Sequence, residues 1–269
     1  MSYFERALIV IVLVGALAGL AGVLVVLRKR VLFAQALTHA TFPGAVIATI
    51  LGASLQVGAM IACVSLAVIM MFLSRIRGQG TQAASGVMLT AGFAAGVLLQ
   101  AMNPNIPVQI DSFLFGSILS ATWTDALVAG GALVLVIAVL LIWGKQLIYF
   151  LFDAESFAAT KAKPWLMDGL LLIITTVAVV AAMPAAGAIL AIALIAAPAA
   201  AARYFTDKIN VMLWLAPTLG ALAGVVGLLI SKWLGVSAGA SIALVAATIF
   251  FIAWGTFTMR RPVVRGATA

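Results

Sequence analysis

Ala34-Gln35-Ala36-Leu37-Thr38-His39-Ala40-Thr41-Phe42-Pro43-Gly44 lies inside a long apolar run and carries the only histidine of a 269-residue chain. Polar side chains are costly in hydrocarbon, so a Gln-x-x-Thr-His cluster at membrane depth calls for a partner or a task. The apolar run after it meets no charge until Arg75. Both runs are long enough to cross a bilayer, and the frame of the chain follows from them.

The chain is 65% hydrophobic and 8% charged, with a mean hydropathy of +1.27. Soluble domains carry about 25% charged residues, so this is an integral membrane protein and not a soluble enzyme domain. No linker divides it, and residues 1–269 read as a single transmembrane domain. Cys63 is alone in an apolar run, which excludes an intrachain disulfide and a cysteine metal framework and leaves a small buried hydrophobe. The first apolar run has Glu5 before it and Arg28-Lys29-Arg30 after it, the reverse of a cleaved leader, so it reads as an uncleaved span.

Apolar segments fall at 5–27, 31–52, 54–74, 84–102, 112–143, 165–183, 185–202, 210–231 and 237–258. The fifth is interrupted by Trp123-Thr124-Asp125 and reads either as two short spans or as one span behind a short re-entrant or interfacial helix. The basic residues decide the parity. With Arg28-Lys29-Arg30 inside and nine alternating spans, thirteen of the 15 basic residues lie in the cytoplasm and only Arg6 and Lys232 lie outside. Splitting the fifth segment destroys that asymmetry. The expected fold is an all-α polytopic bundle of about nine spans in a plasma membrane, N-terminus out and C-terminus in. The net charge of +8 belongs to this asymmetry and does not point to nucleic acid. Gly15-x-x-x-Gly19, Gly92-x-x-x-Gly96 and Gly220-x-x-x-Gly224 are expected to let helices pack closely.

Outside the spans, residues 102–107 form a proline-broken connection, and 152–164 carry a Phe and Ala pattern expected to make a short amphipathic helix at the membrane surface. Arg203-Tyr204-Phe205-Thr206-Asp207-Lys208 is a short cytoplasmic turn. Asp111 and Met102 lie near the outer mouth as solvated caps, and Asp168 is expected to pair with a basic loop residue. Gly144-Lys145 lacks the upstream glycine of a phosphate-cradling loop, and no nucleophile triad or carboxylate pair suggests itself. Uphill transport would draw its energy from another subunit or an ion gradient.

On a helix, Gln35 and His39 stand four apart on one face, with Thr38 adjacent. Imidazole is a good transient ligand for manganese, zinc or iron. It serves equally well in a hydrogen bond to Thr38 or Thr41 of a neighbouring helix. Pro43-Gly44 is expected to break or kink the helix beside His39, as happens along many transporter pathways.

Several stretches in order resemble the permease subunits of bacterial ABC importers for transition metals. Arg28-Lys29-Arg30 followed by Gln35-Ala36-Leu37-Thr38-His39-Ala40-Thr41-Phe42-Pro43-Gly44 resembles that family's basic loop and Asp-Ala-Leu-Ser-His-Ala…Pro-Gly motif. Leu114-Phe115-Gly116-Ser117 matches its Leu-Phe-Gly-Ser segment, and Phe152-Asp153-Ala154-Glu155 resembles its Phe-Asp-Pro-Glu loop with Ala154 for proline. Gly187-Ala188-Ile189-Leu190 through Pro198 to Arg203 is similar to its Gly-x-Leu-Leu…Pro-Ala-Ala-x-Ala-Arg stretch, and Ala238-Gly239-Ala240 to its Pro-Gly-Ala.

The resemblance implies the bundle of type II ABC importer permeases. It implies two permeases, a second copy or a paralogue, around one pathway working by alternating access. Cytoplasmic ATPases would use ATP, and an extracytoplasmic metal-binding protein would deliver the ion. The permease itself would be no enzyme and hold no permanent cofactor, with a divalent transition metal as its substrate. It implies that the metal contacts fall on Gln35, Thr38 and His39. It also makes Arg203, Tyr204, Phe205, Thr206, Asp207 and Lys208 the element that docks on the ATPase, with Tyr204 and Phe205 as apolar anchors. The family's acid stands here as Gln35, which removes a negative charge from the site. The rivals are a permease for a metal chelate or other small solute, an ion-coupled secondary transporter, and a membrane scaffold. The secondary transporter calls for a mid-span carboxylate and inverted repeats, neither of which the chain shows.

Overall fold

The computed structural model describes residues 3–53, 55–73, 81–104, 116–160 and 163–260. All regular structure there is helical: α1 (Tyr3–Leu27), α2 (Val31–Ile50), α3 (Leu55–Leu73), α4 (Thr81–Met102), α5 (Trp123–Phe152), α6 (Ala154–Ala159), α7 (Pro164–Phe205), α8 (Ile209–Leu234) and α9 (Ala238–Arg260). Seven of these are long and apolar enough to cross a membrane, and α3 is a shorter apolar helix. Counting α7 as two limbs and adding α3 gives the expected nine. Residues 105–107, Asp111, Leu114, Phe115 and Arg75, named above, lie outside the described residues, as do Arg77, Lys161, Arg261 and Arg265 of the thirteen basic residues assigned to the cytoplasm.

α1 is apolar on every face, which suits a helix enclosed by others. It packs most extensively against α7 and α8. Small residues make that approach close. A Cβ placed on Gly15 would lie 2.5 Å from the carbonyl oxygen of Gly220, and one on Gly19 would lie 2.4 Å from that of Ala216. Gly224 faces Ile11 in turn. These pairings run in opposite directions along the two helices, so α1 and α8 are antiparallel, and the glycine spacings are used inside one chain.

α7 covers 42 residues and is broken at Gly187, whose φ of 71° and ψ of 172° lie outside the helical region. A straight helix of that length would reach about 63 Å, twice a hydrocarbon core. The break turns the chain back. Asp168 pairs with Arg30, while farther along Gly22 of α1 sits against the carbonyl of Ile195 and the side chain of Ala199. Both limbs therefore reach the C-terminal end of α1. Gly116, at φ 65°, closes on the turn so tightly that a Cβ would stand 2.5 Å from the backbone of Ala186 and Gly187. Only residues that tolerate positive φ and carry no side chain suit both positions.

The interrupted fifth segment is one span. Trp123-Thr124-Asp125 is the first turn of α5 and not a break within it. Thr122 caps the helix by accepting from the Asp125 amide, and the Asp125 carboxylate accepts from the Thr122 amide at 2.8 Å. A 3-10 turn at Ile118–Ser120 precedes it. The expected short helix after α5 is α6, whose cap Asp153 accepts from the Ser156 amide at 2.9 Å. The Ser156 hydroxyl first, and its amide second, hold the Asp153 carboxyl below its ordinary pKa.

The basic loops share one end of the bundle. Arg28, Lys29 and Arg30 lie beside Gln82 and Ser85 at the start of α4 and beside Asp168 at the start of α7. Val23 of α1 packs with Ala202 and Met212, on either side of the 206–208 turn. At the far end, the Lys232 ammonium sits 4.3 Å from the ring centroid of Phe4 near the N-terminus. Tyr204, at the basic end, packs on Phe257 near the end of α9, so the described chain begins and finishes at opposite ends.

Candidate functional site

α2 carries the polar cluster, and its closest packing is with α3 and α4 rather than α1. Gln35 and His39 are both half-buried, one helical turn apart. The His39 ring meets the ring of Phe93 on α4 edge to face, 5.4 Å between centroids. Its buried Nδ1 has no hydrogen-bond partner. An interhelical hydrogen bond to a threonine of a neighbouring helix, the alternative reading of this histidine, is not made at that nitrogen.

Thr38 and Thr41 are fully buried. Thr38 donates its hydroxyl to the Gln35 carbonyl at 2.8 Å. Thr41 donates to the Thr38 carbonyl and lies 3.7 Å from the sulfur of Met183 on α7. These hydroxyls brace the helix backbone, a common use of threonine at membrane depth. Gln35 and His39 are thus brought together on the half-buried side, while Thr38 turns into the packed interior with its proton committed.

Of the break or kink expected at Pro43-Gly44, the break does not occur. α2 continues from Val31 to Ile50 with Pro43 inside it. Proline removes one intrahelical hydrogen bond, the one that would end on the carbonyl of His39, four residues before it. Neighbouring helices pack closely on the segment. A Cβ on Gly44 would meet the Gly58 carbonyl at 2.4 Å, and the Phe42 ring fills the space beside Gly96.

No group of three or more His, Cys, Asp or Glu side chains gathers among the described residues. Gln35 and His39 offer one amide oxygen and one imidazole, too few donors to enclose a transition-metal ion. The arrangement can touch a cation in passing or contribute half of a site shared with another chain.

The turn at the basic end divides its residues differently from the sequence reading. Phe205 is 46% exposed, and Arg203, Asp207 and Lys208 are exposed around it. Tyr204 turns inward, its ring centroid 5.1 Å from that of Phe257 and 5.7 Å from that of Phe250 on α9. Of the two expected anchors, Phe205 is free to meet a partner and Tyr204 is spent on the bundle. Thr206 shapes the turn by accepting from the Lys208 amide at 3.1 Å. Asp168 pairs with Arg30 at 2.8 Å, as expected of a carboxylate beside a basic loop.

Sequence reasoning did not reach Phe93, the ring against His39, or Met183, the partner of Thr41. Each is an apolar residue in an apolar run, and nothing in spacing distinguishes it from its neighbours.

Residues 1–256 match the family model described as the ABC 3 transport family. The chain is 33% identical over 253 residues to the manganese transport system membrane protein MntC of Halalkalibacterium halodurans, covering 94% of this chain and 87% of that one. It is 34% identical over 224 residues to the zinc transport system membrane protein TroC of Treponema pallidum, covering 80% and 75%. Its fold superposes on a chain of PsaBC from Streptococcus pneumoniae in complex with Fab with a TM-score of 0.82, at 31% identity, covering 94% of this chain and 91% of that one.

Proposed function

This chain belongs to the ABC 3 transport family, and from that premise we propose that it is the membrane permease subunit of a bacterial importer for manganese, zinc or iron ions. The ion crosses by alternating access, and a partner ATPase supplies the energy. The relatives named above support the cargo class, since MntC is named for manganese transport and TroC for zinc transport. Orientation follows the charges. The end bearing Arg28, Lys29, Arg30 and the 203–208 turn faces the cytoplasm, the N-terminus faces out and the C-terminus faces in.

The observation that carries the reading is the unpartnered Nδ1 of His39 at membrane depth, one turn from Gln35. A buried polar atom without a partner costs about 1–3 kcal/mol unless something else satisfies it. A divalent cation in transit does so. With no other ligand cluster among the described residues, a second permease chain completes the coordination, and an extracytoplasmic binding protein delivers the ion. Gln35 holds the ion by an amide dipole instead of a full charge. That weakens binding and speeds release, which conduction also requires. At the cytoplasmic end Phe205 inserts into the ATPase, with Arg203, Asp207 and Lys208 on the polar rim.

Uptake of manganese, zinc and iron in cells expressing His39→Ala, at matched membrane levels, tests the site. Loss of a ligand should lower uptake of at least one metal by about tenfold or more. Unchanged uptake of all three overturns the assignment. Phe205→Ala should release the ATPase on purification while the permease still folds.

A further inference from the structure

A cavity of about 330 Å³ opens at the basic end between the α1–α2 loop and the start of α4. Arg28, Lys29 and Arg30 line one wall, Gln82 and Ser85 the other, and Leu32 and Phe33 the floor. Its cations exceed their partners. Arg30 is tied to Asp168, and Arg28 lies 4.4 Å from the ring centroid of Phe150, which satisfies its face but not its charge. Lys29 is exposed. Among the described residues three positive groups thus face one carboxylate, and the guanidinium of Arg28 is held below its ordinary pKa, first by burial and next by repulsion from Arg30.

Lys29 sharpens the point. Its backbone sits at φ 57°, a conformation that side-chain-bearing residues seldom adopt. The loop accepts that strain and presents three successive cations within one short turn. The wall opposite is the start of α4, where Gln82 and Ser85 offer an amide and a hydroxyl to a ligand. The floor is apolar, so a ligand here meets charge at the rim and hydrocarbon below.

We propose that this cavity binds a phosphate-bearing anion, supplied by the headgroup of an anionic phospholipid whose acyl chains run down past Leu32. Basic pockets beside membrane helices are suited to such headgroups, and each cation near the surface strengthens binding about fivefold. A soluble phosphate shares the headgroup chemistry but leaves Leu32, 40% exposed, uncovered. The inference needs only that this end of the bundle lies at a membrane surface, and it is independent of the metal reading.

The test uses the full chain purified from membranes with its co-purifying subunits. Retention of phosphatidylglycerol and phosphatidylcholine is followed by native mass spectrometry, and melting is followed on adding each lipid or inorganic phosphate. Lys29→Gly removes a cation while relieving the backbone, and Gln82→Glu places a negative charge on the opposite wall. Wild type should retain phosphatidylglycerol in preference to phosphatidylcholine. Each variant should lose that preference about fivefold or more while melting normally in phosphatidylcholine. Gln82→Lys should enhance it. Competition by millimolar inorganic phosphate would keep the anion site and name the free ion as its source. Equal retention of both lipids, or retention untouched by the two variants, overturns the proposal. So does release of the ATPase by both variants without any change in lipid, since the cavity then serves a protein.

Discussion

α1 and α5 are both long and strongly apolar, yet they hold opposite places in the molecule. Of the most apolar 18 residues of α1, 72% are buried inside the protein; for α5 the figure is 17%. In water such a pair would both be drawn inward. In lipid, burying one apolar side chain against another gains little over leaving it against an acyl chain, so hydropathy marks a span without marking the centre. Close backbone approach decides instead. Gly15, Gly19 and Gly22 of α1 each sit against the backbone of a neighbour, whereas Gly131 and Gly144 of α5 have nothing near them. The same contrast separates the glycine-knit group of α1, α7 and α8 from α4, only 11% buried over its most apolar stretch, which carries the ring against His39.

Gly19→Leu should break this comparison hardest. Its side chain would enter the backbone of Ala216 and Pro217, and overpacking against backbone has no side chain to yield, so folded protein should be lost from membranes. Gly144→Ala in α5 is the counterpart. It fills open space and should raise helix stability by about 0.5–1 kcal/mol, read as a small rise in melting temperature. If both behave alike, close approach is not what centres α1.

His39→Ala probes the open flank. It should cost transport and lower stability by no more than the lost edge contact with Phe93, about 0.5–1.5 kcal/mol, because Nδ1 gives up no hydrogen bond. A melt lowered as far as that of a core variant would place His39 among structural residues. Asp168→Asn tests the clasp between the regions. Breaking a buried pair costs about 3–5 kcal/mol, and the 14% and 15% exposure of these side chains, together with the hydrogen bond an amide retains, brings the expectation to about 1–2 kcal/mol. Thr41→Val has the smallest effect. It removes a hydroxyl that spans α2 and Met183 of α7, and should cost about 1 kcal/mol or less by thermal unfolding.

The spans were legible because twenty apolar residues have few other destinations, and the parity because Arg and Lys cluster on one side. The Arg30–Asp168 pair was legible for the same reason: a carboxylate at a span end beside cations has one obvious partner. Two local readings failed where neighbours outweighed local chemistry. Pro43 did not break α2, since α3 and α4 hold it, and Tyr204 went inward because Phe250 and Phe257 offered it a ring cluster. Of the site, the sequence located Gln35 and His39 on one turn, but the orientation of Thr38 into the interior depends on packing that spacing does not encode.

The break in α7 has an electrostatic consequence. An unbroken helix would hold opposite half-charges at its two distant ends. Folding it at Gly187 brings the carbonyl end of the first limb beside the amide end of the second, where the two half-charges nearly cancel. At the other end the amide terminus of the first limb joins the carbonyl terminus of the second, beside Arg203 in its last turn. On the proposed function, a divalent cation crossing at the level of Gly187 would therefore feel little field from the backbone of α7. What attracts or repels it there is left to side chains, and so lies within reach of single substitutions.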